Sequence, residues 1–390
     1  MPVNDLTFNQ AATLLNSIVK QATGRNPMAV TNANQFVSVG QTALKAGYDP
    51  LNTAISQMTC HTIFSVRPYS RKFKGLQVSN QRFGAIARKL NTVDSDWGDD
   101  KRFSLVDGES IDMYEVKKPN VLQLNYYGAN IYSRFVTVYK DQLDNAFCGP
   151  EDLARFFAMI MTNVSDQIEQ AHETLARATL ANFIAGKIAG DEDNVIHLVT
   201  EYNDISGLQL DSDTVKQPEN WAGFAKWAAS RIKSVSKAMT ERTTKFHINV
   251  DGKPISRHTP VERQKMYLYA PYQDYVMSSV FSSVFNPEYL NTIDYEEVNF
   301  WQSIDTPDGI NVNPIYLKND GTLTTPEAPV VQSDIFGVIF DEEALGYTVI
   351  NQWSMATPMN AAGGYSNYWY HFTDRYWNDF TENGVVLLLD

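Results

Sequence analysis

Residues 150–187 constrain the fold more than any other stretch of this sequence. Their apolar side chains recur at steps of three and four, which places them on one face of an α-helix. Pro150 suits the first helical position, Glu151 and Asp152 complement the helix dipole, and Gly186 and Gly190 offer a stop. Such a helix would be about 55 Å long. It would be far longer than the average helix of globular proteins, which has about 11 to 12 residues. We therefore expect it to be the element on which the fold is built. The apolar positions are Leu153, Phe156, Phe157, Ile160, Val164, Ile168, Ala171, Leu175 and Ala178.

The polar residues of the same stretch predict a solvated helix face. Glu169, His172 and Glu173 fall on it, and Glu173 has the i,i+4 spacing for a favourable pair with Arg177. His172 and Glu173 begin like the zinc motif of a metalloprotease helix, but the second histidine would fall at Ala176. The motif is incomplete, so no zinc site is predicted here.

Length and composition indicate an ordered, soluble protein with two or three folding units. The chain has 390 residues, of which 43% are hydrophobic and 20% are charged. The first twenty residues lack the basic start and apolar run of a signal peptide, and nowhere do 18 apolar residues follow one another. We expect synthesis in the cytoplasm and no membrane association. Cys60 and Cys148 are too few for a disulfide framework, and we expect both to be reduced and buried.

The charge is unevenly distributed along the chain. The net charge is −13, which argues against a protein that grips phosphate groups without regard to sequence. Residues 1–89 nevertheless contain ten Lys/Arg and only two Asp/Glu. A solvated cationic surface is one interpretation, and contact with the acidic surface of another copy of the chain is the other. The basic residues predicted to make contacts between subunits are Arg67, Arg71, Lys72, Lys74, Arg82, Arg88 and Lys89.

The remaining patterns mix short helices with strands and indicate an α+β fold. Helical spacing at residues 7–23 and 50–59 predicts an N-terminal arm with local helices. Extended segments at 62–66, 83–90 and 111–127 predict a long two-stranded projection. Further strands are predicted at 131–139, 266–270, 336–340 and 385–389, and further helices at 219–239 and 272–285.

Motifs for enzyme chemistry are weak in this sequence. Asp294 and Glu296 lie among aromatic residues, as the paired carboxylates of a glycosidase do, but the sequence does not fix their separation. Cys60 and His61 form a lone pair without a second cluster of metal ligands. We therefore predict no catalytic residue, no cofactor and no metal site, and we keep an aromatic-rich glycosidase as an alternative.

Several stretches resemble the major capsid proteins of tailed double-stranded DNA bacteriophages, which have the Hong Kong 97 type fold. The order of arm, strand pair and long helix is similar to that family, and so are five local sequences. These are Gly108–Val116, Asp141–Asp144, Asp166–Gln170, Phe336–Tyr347 and His371–Asp390.

The resemblance implies a division of the chain and a function. It implies a major capsid protein that assembles with itself into pentamers and hexamers of an icosahedral virion shell in the host cytoplasm. Portal and scaffolding proteins would be further partners, and the shell would enclose double-stranded DNA without sequence-specific binding. The implied segments are an N-terminal arm at 1–66, an extended β E-loop at 67–128, a peripheral domain at 129–190 with a spine helix at 150–187, an axial domain at 191–329, and return strands of both domains at 330–390.

Physical reasoning supports assembly, because a projecting strand pair does not bury both of its faces within its own subunit. Contacts that close head to tail form rings, and many modest contacts add up to a stable shell. Within the same fold, an encapsulin-like bacterial compartment with an enzyme cargo is the alternative. Another virion component, such as a neck protein, is a further one. We expect no Lys–Asn cross-link between subunits, because no residue here matches that chemistry.

If the basic segment acts between subunits, reversing its charge should block assembly without unfolding the chain. We expect the combined substitutions Arg71→Glu, Lys72→Glu and Lys74→Glu to leave a soluble, folded monomer that forms no shells. Electron microscopy and sedimentation of the purified variant measure this. Shells at the normal yield would contradict the prediction.

Overall fold

The computed structural model shows an α+β chain that divides into two compact units. Unit 1 comprises Met1–Gly84, Gly128–Leu175 and Tyr347–Tyr376, and unit 2 comprises Ala85–Tyr127, Ala176–Gly346 and Trp377–Asp390. None of the helices in the described part of the chain is long and apolar enough to cross a membrane. The described residues are 8–24, 30–45, 47–63, 72–78, 86–92, 102, 104–114, 116, 118, 121–250, 254–274 and 295–390.

The secondary structure follows the predicted mixture of helices and strands. The described helices are α1 Phe8–Thr23, α2 Ala33–Lys45, α3 Tyr48–Ile63, α4 Lys140–Ala146, α5 Pro150–Gly190, α6 Leu198–Ser206 and α7 Pro218–Met239. The described strands are β1 Ile86–Thr92, β2 Val121–Tyr127, β3 Asn130–Tyr139, β4 Val195–His197, β5 Gln264–Tyr269, β6 Glu296–Val298, β7 Ile310–Val312, β8 Tyr316–Leu317, β9 Leu323–Thr324, β10 Val330–Gln332, β11 Ile335–Asp341, β12 Leu345–Ala356, β13 Tyr365–Asn378 and β14 Gly384–Leu388.

The predicted long helix is confirmed as α5, which has 41 residues and extends to Gly190. Its residues up to Leu175 belong to unit 1 and those from Ala176 onward to unit 2. Phe157 and Ile160 are buried in the first part, and Phe183 and Ile184 in the second. One helix therefore supplies apolar side chains to two cores.

The core of unit 1 lies between helices and a three-stranded sheet. Strands pair in the order β12-β13-β3, and β13 runs antiparallel to β3 from the pair Tyr365 and Tyr139 to the pair Asp374 and Asn130. Tyr368, Tyr370 and Phe372 alternate along β13 and point from the sheet into the core, as period-2 geometry requires. The same cluster contains apolar residues of α1, α2, α3, α4 and α5.

Helices α1, α2 and α3, which fall within the predicted N-terminal arm, pack into the core of unit 1. Leu15, Phe36 and Leu51 of α1, α2 and α3 have no exposed surface and belong to the core of unit 1. Asn52 of α3 donates to Ser366 Oγ at 2.8 Å and accepts from the Tyr368 hydroxyl at 2.9 Å. Helices α1 and α3 were predicted from the sequence and α2 was not. The partners of Asn52 in the core lie some 300 residues later. The described helices contribute to a core and do not extend away from it.

The prediction of a solvated face on α5 is wrong for Glu169 and His172. Glu169, His172 and Arg177 are buried. In unit 1, His172 Nδ1 lies 3.4 Å from Asp374 Oδ2, and the Tyr132 hydroxyl donates to the same carboxylate at 2.5 Å. In unit 2, Arg177 stacks on the ring of Phe300 at 3.8 Å and donates to its carbonyl. His172 and Arg177 each meet a polar partner, which reduces the cost of burying them.

Unit 2 is built on a five-stranded mixed sheet with the order β4-β14-β11-β5-β6. All seven residues of β11 are buried, which confirms the continuous apolar strand predicted at 336–340. Gly337 of β11 is required by packing, because a Cβ there would lie 2.9 Å from the carbonyl oxygen of Tyr267. The strand predicted at 385–389 is confirmed as β14, and the helix predicted at 219–239 is confirmed as α7.

Other local predictions are corrected or fall outside the described residues. Residues 62 and 63 continue α3 and are not extended, and residues 107–108 and 113–114 are turns. Cys148 is a free cysteine but is exposed, not buried, because it follows α4 at the surface. Most of the helix predicted at 272–285 lies outside the described residues, as do residues 64–66.

Truncation of the α5 stripe tests the assignment of the unit 1 core. Phe157 is 2% exposed, so Phe157→Ala should lower the free energy of unfolding by about 3 to 5 kcal/mol. Met159, two positions along the same helix, is 50% exposed, and Met159→Ala should change it by less than about 0.5 kcal/mol. Urea unfolding followed by tryptophan fluorescence measures both. Equal effects of the two substitutions would contradict this account of the core.

Candidate functional site

The seven basic residues predicted for subunit contacts have different settings in the structure. Arg67, Arg71 and Arg82 lie outside the described residues, and for Lys72 and Arg88 only the backbone is described. Lys74 is exposed. The inter-subunit role of these six residues stays a prediction. Lys89 has a described side chain, and it is engaged within its own chain.

Lys89 lies at the centre of a cluster of carboxylates in unit 2. Its Nζ is 2.9 Å from Asp379 Oδ2 and 3.3 Å from Glu343 Oε2, and it also pairs with Glu382. Arg257 Nη1 approaches the same Glu382 carboxylate at 2.7 Å. Asp379 and Glu382 are buried, so these ion pairs are poorly screened by solvent.

The cluster alters the pKa values of its members. Burial alone would lower the pKa of Lys89, but the charges of Asp379 and Glu382 outweigh burial and raise it. Burial would raise the pKa of Asp379, but Lys89 and the Thr381 hydroxyl hold it below its usual 3.8. Burial raises the pKa of Glu382, and Lys89 and Arg257 offset this only in part. The Lys89–Asp379 pair is therefore the ionised centre of the cluster.

The Lys89 cluster contacts both strands of the predicted β extension. β1 and β2 pair antiparallel over seven residues, from the pair Ile86 and Tyr127 to the pair Thr92 and Val121. Lys89 belongs to β1, and Tyr126 of β2 also reaches Asp379. Burial and the charge of Asp379 together raise the pKa of the Tyr126 phenol. The sequence analysis missed these partners because they lie some 290 residues later. The available signal was Asp379 and Glu382 themselves, two acids shortly before the apolar run 385–389.

The connection between β1 and β2 exposes an apolar surface. Met113, Tyr114 and Val116 are each about 80% exposed. The acids Asp107, Glu109 and Asp112 precede them in the same segment, and residues 104–116 contain no Lys or Arg. We call residues 104–116 the loop tip. Apolar side chains with this exposure are typical of a surface that is covered by a partner. The described residues of the tip are Ser104, Leu105, Val106, Asp107, Gly108, Glu109, Ser110, Ile111, Asp112, Met113, Tyr114 and Val116.

The outer face of the unit 1 sheet carries a row of aromatic rings. Phe135 of β3 stacks on Trp369 of β13 at 4.7 Å, and Trp353 of β12 stacks on His371 of β13 at 3.9 Å. Trp369 and His371 are 6.2 Å apart, so the row crosses all three strands. We call Phe135, Trp353, Trp369 and His371 the aromatic row. Tyr368, Tyr370 and Phe372 of β13 point inward, so Trp369 and His371 between them face outward. This alternation in the sequence indicated a second apolar face on the strand.

Of the two carboxylates considered for glycosidase chemistry, Glu296 is described and Asp294 is not. Glu296 of β6 lines a cavity of about 280 Å³ together with Glu262, Lys265 and Tyr267. Burial raises the pKa of Glu296, although the Tyr267 hydroxyl and Lys265 oppose the rise. Asp294 lies outside the described residues. Among the described residues no group of three His, Cys, Asp or Glu side chains is arranged to hold a metal ion.

Solved structures with this arrangement of helices and strands come from bacteriophage particles. The capsid structure of Staphylococcus phage Andhra matches 84% of this chain and 86% of its own at a TM-score of 0.55, with 12% identity. A structure of head fiber and inner core protein gp22 of native bacteriophage P68 matches 83% and 86% at a TM-score of 0.54, also with 12% identity. The fold is the Hong Kong 97-like α+β fold of phage capsid subunits.

The sequence itself defines the family more closely. The model of the Phi29-like phage major capsid proteins matches residues 15–388. The chain belongs to this family, so it is a structural protein of the virion. A comparison with curated protein sequences finds no match.

Removal of the Lys89 charge should destabilise the protein most at neutral pH. Asp379 has a lowered pKa, so the pair stabilises above the ordinary pKa of 3.8 and loses this contribution as the pH falls through the lower folded value. We expect Lys89→Ala to lower the free energy of unfolding by about 2 to 3 kcal/mol at pH 7, since Lys89 is one-fifth exposed and a buried pair costs about 3 to 5 to break. Urea unfolding at pH 7 and pH 3 measures the difference, which should shrink in acid.

Two controls separate the ion pair from a general loss of charge. Lys89→Arg keeps the cation and should retain most of the stability. Lys140 forms an exposed i,i+4 pair with Asp144 at 2.7 Å, and Lys140→Ala should leave the urea midpoint unchanged. A deficit in Lys89→Ala that is independent of pH would show that Asp379 is not the partner that matters.

Proposed function

We propose that this chain assembles with itself into pentamers and hexamers that form an icosahedral shell around double-stranded DNA. The observation that carries the proposal is a pair of exposed apolar surfaces, the loop tip and the aromatic row. Both are far more apolar than a solvated surface requires, and multiple copies offer a way to cover them.

The loop tip and the aromatic row suit each other as contact surfaces. The tip offers flexible apolar side chains such as Met113, which adapt to the surface that they meet. The row offers flat rings, with Trp353 44% and Phe135 54% exposed, and Ile131 and Met355 beside them. Aromatic side chains in the centre of an interface contribute much of its binding energy. We propose that the tip of one copy lies on the aromatic row of another.

The Lys89 cluster supports this arrangement from inside the chain. A tip that searches a large volume loses conformational freedom when it binds, and this opposes association. Lys89 and Tyr126 hold the base of the β1–β2 pair against Asp379. The strand pair is therefore ordered when the chain folds, and it loses less conformational freedom on association. We propose that the Lys89 cluster holds the β1–β2 extension in position for contact with another copy.

The charge of the chain supports a container for DNA. With a net charge of −13, a wall made of this protein repels phosphate groups more than it attracts them, which eases the entry and exit of DNA. This role does not require recognition of a particular DNA sequence. Portal and scaffolding proteins are the further partners that we propose, and we propose no catalytic activity.

Loss of the aromatic row should prevent assembly while the monomer stays folded. We expect Trp353→Ser combined with Trp369→Ser to reduce the yield of shells at least about tenfold, because two central aromatic contacts are removed. Negative-stain electron microscopy and sedimentation measure shell yield, and circular dichroism checks folding. Protection of DNA from nuclease in particles from infected cells tests the cargo.

A matched control removes an exposed apolar side chain from another place. Leu323 of β9 is 70% exposed, and Leu323→Ser should assemble like the unaltered chain. Normal shells from the double tryptophan variant would contradict the contact between tip and row. A chain that stays monomeric under all conditions, including with its scaffolding protein, would contradict the function itself.

A further inference from the structure

The charge of unit 2 changes sign along the sequence. Residues 191–219 contain eight Asp/Glu and one Lys, whereas residues 220–245 contain six Lys/Arg and one Glu. The first segment includes α6 and the second includes most of α7. In a chain with a net charge of −13, this local excess of cations needs an explanation.

Three lysines of α7 lie on one exposed face of that helix. Lys226, Lys233 and Lys237 are spaced by seven and four residues, which at 3.6 residues per turn keeps them within about 40° of one another. Lys226 and Lys237 are exposed and Lys233 is half-buried, while the opposite face of α7 is buried with Phe224 and Val235. Within the part of the chain that the structure describes, none of the three lysines forms an ion pair. We call them the lysine stripe.

Exposed carboxylates lie on the neighbouring segment. Lys216, its single lysine, already forms an ion pair with Asp334 at 2.6 Å. Hydrogen bonds from Thr214 lower the pKa of Asp211, so this carboxylate stays charged well into acid. We call the exposed acids of this segment that precede α7 the acidic edge. They are Glu192, Asp193, Asp204, Asp211 and Asp213.

Both groups of charges belong to unit 2, and no ion pair among the described residues joins one group to the other. Helix α6 packs on α7 through Tyr202 and Trp227, whose rings are 5.6 Å apart. Arg231 of α7 binds Glu201 of α6 with two hydrogen bonds, at 2.6 and 2.8 Å. That contact uses one cation and one anion, and neither belongs to the lysine stripe or the acidic edge.

The arrangement restricts how two copies meet. A lysine stripe that faced another lysine stripe would repel it, so a symmetric contact through this face is disfavoured. A lysine stripe that faces an acidic edge is attracted, and that contact joins two different surfaces. Contacts between different surfaces run head to tail and close into rings.

We infer that the lysine stripe of α7 binds the acidic edge of the next copy and sets the head-to-tail order of subunits in a ring. The inference rests on the proposed function, since it names the surfaces through which the copies meet. It concerns unit 2 and is separate from the contact between the loop tip and the aromatic row.

Charge reversal on one surface and then on both tests the inference. We expect Lys226→Glu, Lys233→Glu and Lys237→Glu together to lower the assembled fraction at least about tenfold at about 0.1 M salt. Adding Glu192→Lys, Asp204→Lys and Asp213→Lys should bring assembly back to within about threefold of the unaltered chain. Asp211 is left in place because it orders its own turn.

The control makes the same change in net charge elsewhere. Lys20, Lys45 and Lys318 are exposed on α1, on α2 and after β8, and their replacement by Glu should leave assembly unchanged. Loss of assembly in this control would show an effect of net charge and overturn the inference. Normal assembly of the α7 variant, or no recovery when both surfaces are reversed, would also overturn it.

A second measurement needs no variant and so does not depend on how the variants fold. Shells made from equal amounts of ¹⁴N and ¹⁵N chains are treated with a carbodiimide, which joins contacting amines and carboxylates with loss of water. Mixed-isotope peptides that link the lysine stripe to the acidic edge support the inference, and their absence among the cross-links between copies overturns it. If the unaltered chain forms no rings or shells, the proposed function fails and this inference falls with it.

Discussion

The burial of a single helical stripe is the constraint on which the structure depends. Helix α5 has 41 residues. Strands of unit 1 cover the apolar stripe at Phe157, and strands of unit 2 cover it at Phe183. Phe183 packs on Phe340 of β11 and on Phe380. An amphipathic helix of this length needs more apolar surface than one small core provides, so two separate parts of the chain fold against it.

The same constraint explains what could be predicted from the sequence. Periodicity was sufficient for α5, α7, β11 and β14, because the burial of each element has one dominant period. It failed for Glu169 and His172, since polarity alone does not distinguish a solvated side chain from one that meets a buried partner. Asp374, which satisfies His172, lies some 200 residues away, and local spacing contains no information about it.

The candidate site was predictable in part for the same reason. A strand pair between residues 67 and 128 could be read from alternation, and its seven-residue ladder is present as β1 and β2. Lys89 was recognised as one of a group of cations, but its carboxylate partners depend on how the chain returns at residues 379–382. The aromatic row was hidden because β13 is aromatic on both faces, and sequence alternation shows two faces without telling which is covered.

Charge in this protein has two separate uses. At Lys89 and Asp379 a cation and an anion meet inside the fold, where solvent screens them little. On α7 and its acidic neighbour the charges remain at the surface, where their interaction depends on salt. The two kinds of interaction therefore respond differently to salt.

The stack of Trp353 on His371 provides the molecule with an intrinsic optical signal. An indole whose ring lies 3.9 Å from an imidazole is close enough for contact quenching of its fluorescence. Trp353 is also partly open to water, and its emission colour responds to the polarity of whatever lies above it. The light emitted by this one side chain thus changes when that surface is covered, without any attached dye.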